Sequence, residues 1–455
     1  MADKIKLGDI LTVLTDYHAN GAYKKLKENV ELLDKPDYAV MIRTTNFESN
    51  DFSNNLKYIN KSAYYFLSKS KVFPNDIIMN KIANAGSTYL MPDLGGEVSL
   101  AMNLFLLRVD QNLANPTYIY LYLKLNEAYV KSFANGSVTK TITKDAVRNL
   151  EIELPNRQLQ NAIVERFNNL NDRIRLIQHN NQTLEQMAQA LFKSWFVDFD
   201  PVVDNALAAG NPIPDELAHR VEVRRKAHAL PDFQPLPEDI RSLFPSEFEQ
   251  TDEPTVGIGG WVPKGWKIKK MLDVAKVTTG KRPPQKVETC DDENKVPVWG
   301  GNGVKWFTND TLEKDDYIIT GRVGTLGTVY KVSGSSWPSD NALVIKPREH
   351  YLFDFVFQAL QRADLLNLNA GSTQPMITQT SLKQLTVLLP EQIDSVEAYQ
   401  KLAQSYSVKI AANRKVNETL VKVRESLLPK LISGEIQLDS SGISIINEEA
   451  ELQGV

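Results

Sequence analysis

The chain has 455 residues, 42% hydrophobic and 24% charged, so it is long enough for two or three domains that each bury a core. No apolar run approaches the roughly 20 residues that span a bilayer, and the first ten residues lack the apolar centre of a signal peptide. A single cysteine, Cys290, excludes an internal disulfide framework and is typical of the cytoplasm, where we expect the protein to be located.

The net charge of −4 is unevenly distributed along the chain. Residues 1–155 carry 18 basic and 17 acidic side chains, and residues 261–390 carry 17 and 13. The excess of acidic residues lies in residues 201–260, with 5 basic and 11 acidic side chains, and in residues 391–455, with 7 and 10. The two longer bodies are therefore neutral to mildly basic, which permits local contact with phosphate groups.

Two segments of the chain have similar sequences. Residues 136–155 are GSVTKTITKDAVRNLEIELP, and residues 371–390 are GSTQPMITQTSLKQLTVLLP. Both end in a short apolar run that a proline closes. Upstream of each copy, DIIMNKIANAGSTY parallels DYIITGRVGTLGTVY, so that Lys81 aligns with Arg322.

A further pair of similar segments lies between those blocks. EVSLAMNLFLL (97–107) parallels SSWPSDNALVI (335–345), so that Asn103 aligns with Asn341. The blocks keep their order in both halves, and the period is about half the chain, far longer than the 20–50 residues of solenoid repeats. The pattern predicts two similar domains.

Each copy is followed by the apolar spacing of a coiled coil. Apolar residues recur at steps of 3 and 4 from Leu159 to Leu191, with Asn181 as the polar exception, and again from Val396 to Leu427. This spacing predicts two helices of about 40 residues, ~60 Å each at 1.5 Å per residue. Burial of each stripe against its own domain is the alternative, but the length and period favour two helices packed on each other.

The acidic, proline-rich residues 198–260 connect the first helix to the second domain. Within them, ELAHRVEVRRKAHAL (216–230) predicts one short helix, and the remainder is typical of an extended linker.

The sequence lacks the usual signatures of catalysis. The five histidines have no metal-ligand spacing, and Cys290 lies among acidic residues, a poor setting for a nucleophilic thiolate. GWVPKGWK (260–267) has the glycine spacing of a phosphate-binding loop but Trp266 in place of its lysine. FDPVV and NPIPD lack the Asn/Asp-Pro-Pro-aromatic sequence of amino-methyltransferases. We therefore expect a non-catalytic chain with no metal or cofactor of its own.

Polar, glycine-rich loops are the remaining candidate binding sites: TTGKRPPQ (278–285), VWGGNGVKWF (298–307), GRVGTLGT (321–328) and AGSTQPMI (370–377). Arginine can bond guanine, Asn or Gln can bond adenine, and hydroxyl and backbone N–H groups can bond phosphate. Any single loop can be an ordinary turn with solvated cations, and their recurrence in a duplicated domain makes DNA contact about as well supported as that alternative. The candidate DNA-binding residues are Lys81, Asn84, Ser87, Thr88, Asn103, Ser137, Thr139, Lys140, Lys281, Arg282, Trp299, Asn302, Lys305, Arg322, Thr325, Asn341, Ser372, Thr373 and Gln374.

The whole chain resembles the specificity subunits of type I restriction–modification systems. The resemblance rests on the two Gly-Ser…Ile-Thr…Leu-Pro copies, ALFKSWFVDFDPV (190–202), GWVPKGWKIKKMLDVAKVTTGKRP (260–283) and LLPKLISGEIQL (427–438). It implies duplicated α/β target recognition domains joined by two long antiparallel coiled-coil helices. The expected boundaries are 1–155 for the first target recognition domain, 156–197 for the first spacer helix, 198–260 for the connector, 261–390 for the second target recognition domain, 391–436 for the second spacer helix and 437–455 for the tail.

The resemblance also implies a function and partners. Each domain would recognise one half of a bipartite site in double-stranded DNA, while the helices set the spacing and bind two modification subunits. Those subunits would bring S-adenosylmethionine and methylate adenine, and restriction subunits would add cleavage that depends on ATP and Mg²⁺. This chain would catalyse neither step and would contact no membrane.

Two other functions remain open at this point. A non-catalytic coiled-coil scaffold whose two domains bind proteins would fit the low basicity, although its loops should then be rich in exposed aromatic and apolar residues. An enzyme without a known motif would need a convergent set of titratable side chains, which the sequence does not show. Methyl transfer by the purified chain alone would reveal such an enzyme.

Overall fold

The computed structural model describes residues 3–136, 139–324, 326–368, 376–439 and 442–445. The chain divides into two compact units: the first comprises Met1–Leu176 and Val416–Val455, and the second comprises Ile177–Lys415. No helix among the described residues is long and apolar enough to cross a membrane.

The first domain is a mixed α/β body. Its strands are β1 (Asp3–Lys6), β2 (Leu11–Asp16), β3 (Ala39–Ile42), β4 (Tyr58–Ile59), β5 (Lys71–Val72), β6 (Ile77–Asn80), β7 (Thr88–Leu90), β8 (Glu97–Leu100), β9 (Leu104–Val109) and β10 (Glu151–Leu154). Its α-helices are α1 (Tyr23–Asn29), α2 (Thr44–Glu48), α3 (Lys61–Phe66), α4 (Pro116–Leu125), α5 (Glu127–Ser132) and α6 (Lys144–Arg148).

A four-stranded antiparallel sheet in the order β2-β9-β6-β7 forms the middle layer of the first domain. Strands β6 and β9 are apolar on both faces, as expected for strands covered on both sides. Ile77 and Phe105 belong to a core that includes α4, whereas Ile78 and Leu106 belong to a second core. A second sheet in the order β4-β3-β8-β5, in which β3 and β8 run parallel, contributes residues to that second core.

The chain then forms the 40-residue helix α7 (Arg157–Phe196) and continues into the second domain. The connector contains α8 (Asp200–Ala209), α9 (Ala218–His228), α10 (Glu238–Arg241), β11 (Phe248–Gln250) and β12 (Trp261–Pro263). The strands that follow are β13 (Trp266–Lys270), β14 (Ala275–Thr279), β15 (Val296–Gly300), β16 (Gly303–Thr308), β17 (Tyr317–Gly321), β18 (Val329–Val332), β19 (Trp337–Pro338), β20 (Ala342–Pro347) and β21 (Thr386–Pro390). The helices are α11 (Met271–Val274), α12 (Phe353–Arg362), α13 (Gln379–Lys383) and α14 (Asp394–Ile432), after which come β22 (Ile436–Asp439) and β23 (Gly442–Ile445).

The second domain repeats the topology of the first. Its main sheet has the order β14-β20-β17-β18, which corresponds strand for strand to β2-β9-β6-β7. A smaller sheet, β16-β15-β19, again contains one parallel pair, β15 with β19. Strand β13 pairs with β21 as β1 pairs with β10. The prediction of a duplicated α/β domain is confirmed.

The connector folds against the second domain, so the expectation of an extended linker is wrong. The predicted short helix exists as α9, but α8 and α10 were not anticipated. Arg220 on α9 pairs with Asp200 on α8 at 2.5 Å, and Asp200 also accepts a hydrogen bond from Ser194 at 2.8 Å. Burial of the connector's apolar side chains offsets the entropy of ordering it. Those in the core of the second domain are Phe199, Val202, Val203, Leu217 and Phe244.

The two long helices pair antiparallel within each unit. In the second unit, Tyr399 Oη donates to Ala188 O at 3.2 Å and Asn413 Nδ2 donates to Asn181 Oδ1 at 2.7 Å. In the first unit, Arg424 Nη1 donates to Asn171 Oδ1 at 3.0 Å. Residue numbers rise along α7 as they fall along α14, which confirms the predicted antiparallel pair.

The ends of α7 also bury against the domains. Ile163 and Val164 belong to the first domain's core, and Trp195 and Phe196 belong to the second domain's core. Along α7, some residues therefore pack against the domains and others contact α14, so both predicted arrangements occur in one helix.

We predict that the Asn181–Asn413 pair selects the register of the helices at a cost in stability. Asn413→Leu should lower the unfolding free energy by about 1 kcal/mol, because it leaves the half-buried Asn181 carbonyl without its donor. The double variant Asn181→Leu/Asn413→Leu should be at least as stable as the wild type. Tryptophan fluorescence during urea unfolding measures this, since all six tryptophans lie in the second unit.

The neighbouring Arg414→Ala provides the control, because its contact with Glu185 is 3.5 Å long and largely exposed. Equal destabilisation in the single and double leucine variants would contradict a specific amide pair.

Candidate nucleic-acid interface

Backbone hydrogen bonds at one residue bring together three loops of the first domain. The N–H of Lys81, just after β6, donates to Asn103 O at 2.9 Å, and Lys81 O accepts from Ile142 N at 3.0 Å. These bonds join the loop after β6, the turn before β9 and the segment before α6.

The second domain repeats the arrangement at the aligned residues. The N–H of Arg322 donates to Asn341 O at 2.9 Å, and Arg322 O accepts from Ile377 N at 2.9 Å. The correspondence of Lys81 with Arg322 and of Asn103 with Asn341, inferred from sequence, is thereby confirmed in three dimensions.

In each domain a fourth loop, which follows β3 or β15, is joined to these three loops by a backbone hydrogen bond. Ala101 N donates to Ile42 O at 3.0 Å in the first domain, and Ser339 N donates to Trp299 O at 2.8 Å in the second. We call the surface of these loops the loop face. Its described residues are 43–57, 81–87, 101–103 and 139–142 in the first domain, and 300–302, 322–324, 326–328, 339–341 and 376–377 in the second.

Lys81 is held in an ion triad. Asp16, buried at the end of β2, accepts from Lys81 Nζ at 3.0 Å and from Lys144 Nζ at 2.9 Å. Burial by itself would raise the pKa of Asp16, but the hydrogen bonds and charges of Lys144 and Lys81 outweigh it and hold the pKa below 3.8. Lys81 thus has a structural partner within the fold, and its role in DNA contact stays a prediction.

Among the described residues, no carboxylate pairs with Arg322 in this way. Thr279 occupies the place of Asp16 at the end of β14, and Gln379 Nε2 bonds its hydroxyl at 3.4 Å. The described contact of the Arg322 side chain is a 3.5 Å hydrogen bond from Nη1 to Asp340 O. Its guanidinium therefore keeps most of its donors for a ligand.

Two candidate residues of the first domain are buried, which corrects their assignment to DNA contact. Ser87 is 1% exposed and Thr88 is 0% exposed. Ser87 Oγ donates to Glu127 Oε1 at 2.7 Å, and Lys124 and Lys131 flank the same carboxylate at 2.7 and 2.6 Å. Burial works to raise the pKa of Glu127, but these hydrogen bonds lower it to about 2. The hydroxyls were selected from the sequence because the loop is polar, and packing against α5 removes them from the surface.

Most of the other described candidates are exposed. In the first domain these are Asn84, Asn103, Thr139 and Lys140, and in the second they are Lys281, Arg282, Asn302, Lys305 and Asn341. Trp299 is half-buried, and its ring lies 5.9 Å from that of Tyr330. Ser137, Thr325, Ser372, Thr373 and Gln374 lie outside the described residues.

Sequence reasoning missed two basic groups at or near these loops. Arg43 follows β3 and donates from Nη2 to Asn55 O at 2.6 Å, within a polar insertion (43–57) that a two-residue turn replaces in the second domain. Lys286 lies over the ring of Trp306 at 4.3 Å, opposite Lys305 at 4.9 Å. The run of Asn, Ser and Asp in 43–57 was the available signal for the insertion.

Within the described ranges, no cluster of three or more His, Cys, Asp or Glu side chains could hold a metal ion.

Two copies of one α/β fold with polar loop faces, together with paired long helices, define a two-domain recognition protein. The family model of the type I restriction modification DNA specificity domain matches residues 2–186 and 263–421. The chain belongs to this family.

Curated relatives and a solved structure agree with this assignment. The HindI specificity subunit of Haemophilus influenzae is 28% identical over 405 residues, which cover 81% of this chain and 88% of that protein. The MjaIX specificity subunit of Methanocaldococcus jannaschii is 22% identical and covers 71% of this chain and 69% of that protein. The S subunit of M. genitalium shares the fold, with a TM-score of 0.54 at 13% identity over 95% of this chain and 96% of that one.

We predict that the Asp16 triad makes the first domain sensitive to acid. Because the pKa of Asp16 is lowered on folding, the triad stabilises the domain above pH 3.8 and its contribution is lost as the pH falls below that value. At pH 7, Asp16→Asn should lower the free energy of opening β2 and β9 by about 1–3 kcal/mol, and the difference should shrink as the pH falls below the ordinary pKa of an aspartate. Amide hydrogen exchange followed by mass spectrometry measures it.

Asp145→Asn is the matched control, because that carboxylate is 88% exposed and lies 3.6 Å from Arg148. A loss at pH 7 no larger than the control's would refute a structural role of the triad.

Proposed function

We propose that each domain recognises one half of a bipartite DNA site through its loop face. The two half-sites differ because the same arrangement of backbone hydrogen bonds carries different side chains in the two domains. The observation that supports this most directly is the repeated hydrogen-bond frame at Lys81 and Arg322. Exposed amide, hydroxyl and cationic groups on these loops are the ones that bond base edges and phosphates.

The side chains on the two frames support different specificities. The first domain carries the long polar insertion 43–57 and Lys81, which shares the Asp16 carboxylate with Lys144. The second carries a short turn at 300–302 and Arg322, whose guanidinium can bond guanine in a bidentate manner. One frame can thus present two recognition surfaces.

The paired helices are proposed to set the spacing of the half-sites and to bind two modification subunits. Several large apolar side chains on α7 and α14 are exposed, and exposed apolar surface on a helix is where a partner protein can bind. They are Leu176, Met187, Leu402, Val408, Val416 and Val423.

The chemistry of the system is proposed to reside in those partners. Modification subunits would bind S-adenosylmethionine and methylate adenine, and restriction subunits would use ATP and Mg²⁺. This chain would supply recognition and assembly alone.

The test is replacement of residues 261–390 by the corresponding domain of another specificity subunit. When the chimera is co-expressed with the modification subunit, one half of the methylated site should change and the other should stay, as read by sequencing modified bases in genomic DNA. The chimera keeps both helices and should still co-purify with the modification subunit. A change in both halves, or in neither, would refute one domain per half-site.

We predict that Arg322→Ala and Lys81→Ala have different consequences. Arg322→Ala should cost about 1–3 kcal/mol of binding to the target and relax specificity at one position. Lys81→Ala should instead weaken the fold of the first domain, because it removes half of the charge that compensates Asp16. Binding measured on a panel of single-base variants of the target separates the two. Equal relaxation of specificity in both variants would show that Lys81 also contacts a base.

A further inference from the structure

A polar cavity in the second unit has no assigned role. It measures about 590 Å³ and opens between α7, α12 and the turn before β18. Side chains of Gln189, Gln358, Gln361 and Arg362 line it, together with residues 327–330. None of the described residues that line it is acidic. The cavity is therefore rich in hydrogen-bond donors, with one positive charge, and is large enough for a nucleotide-sized group.

One lining side chain is buried without a partner. Gln358 is 3% exposed, and among the described residues nothing hydrogen-bonds its side-chain amide. Arg362, in the last turn of α12, likewise forms no ion pair with a described residue. Both groups are thus available to a ligand.

The first domain shows what occupies this place when it is filled. Ser87 precedes β7 as Thr328 precedes β18, and Lys124 lies in the last turn of α4 as Arg362 lies in the last turn of α12. In the first domain the Glu127 carboxylate accepts from Ser87 and pairs with Lys124. In the first domain, an internal carboxylate thus lies between the residue before β7 and a cation at the end of α4.

The second domain leaves the site open. In the first domain, α5 packs so closely on Gly86 that an added Cβ would lie 3.2 Å from Val130 Cγ1. At the matching Gly327, the nearest atom to an added Cβ is Leu366 Cδ2 at 3.6 Å. Thr328, which lines the cavity, donates its hydroxyl hydrogen to Gly301 O on the loop face. The cavity is thus adjacent to the proposed DNA surface.

We infer that this cavity binds a phosphate ester, which takes the place that the Glu127 carboxylate holds in the first domain. Arg362 supplies the charge, and the amides of Gln358 and Gln361 supply further donors. The identification of the source as the DNA strand beside the half-site rests on the proposed function. A free nucleotide is the other source of the same chemistry.

The experiment compares Arg362→Gln and Gln358→Leu with the wild type in the complex of this chain with its modification subunit. Binding to a duplex with the mapped target is measured over a range of salt concentrations. Arg362→Gln should weaken binding about 5- to 20-fold at low salt, reduce the salt slope by about 1 and leave base preference unchanged. Gln358→Leu should weaken binding without changing the slope, since it removes no charge. Lys124→Gln is the matched control and should leave the slope unchanged, because Glu127 already fills that site.

A second titration uses deoxyadenosine monophosphate alone, followed by calorimetry. Binding of this nucleotide that Arg362→Gln abolishes, with an unchanged duplex slope, would support the phosphate site and exclude DNA as its source. If neither duplex slope nor nucleotide binding changes, or if Arg362→Gln alters base preference, the inference is overturned. Failure of the wild-type complex to prefer any duplex would overturn the proposed function instead, and the nucleotide titration would still decide the cavity's chemistry.

Discussion

A pair of backbone hydrogen bonds at a single residue organises the loop face in both domains. The residue is Lys81 in one and Arg322 in the other, and in each its N–H and C=O bond the two neighbouring loops. Because the bonds involve main-chain atoms, the frame places few demands on the side chains it carries. That freedom allows one fold to appear twice in a chain with two different polar surfaces.

The two domains also differ in how they balance charge. In the first domain, Asp16 and Glu127 are buried or half-buried and are compensated by lysines that belong to the fold. The second domain has Thr279 in place of Asp16, and the described residues that line its cavity are not acidic. Cations that serve stability in one copy are therefore available for binding in the other, as expected where buried charges must be paired.

The long sequence motifs that carry the family resemblance contribute buried side chains to the domain cores. The aromatic side chains of FKSWFVDF bury in the core of the second domain, where Phe196 and Trp195 pack against Tyr399 of α14. Leu431 and Ile432 of LLPKLISGEI bury in the core of the first. Each of these two segments attaches one end of a long helix to a domain.

The sequence alone determined the duplication, the two long packed helices and the alignment of Lys81 with Arg322, because periodicity and block order are local or linear properties of a chain. The antiparallel orientation of the helices followed from the family resemblance. Only the tertiary structure decided which polar residues are accessible. Ser87 and Arg322 both lie in polar, glycine-containing loops, yet the first is bonded to Glu127 of α5, whereas the described contact of the second is a backbone carbonyl. The connector shows the same limit, since its prolines and acidic residues suggested a linker while scattered apolar residues fold it onto a core. Burial and charge pairing depend on partners distant in sequence, and no local pattern identifies them.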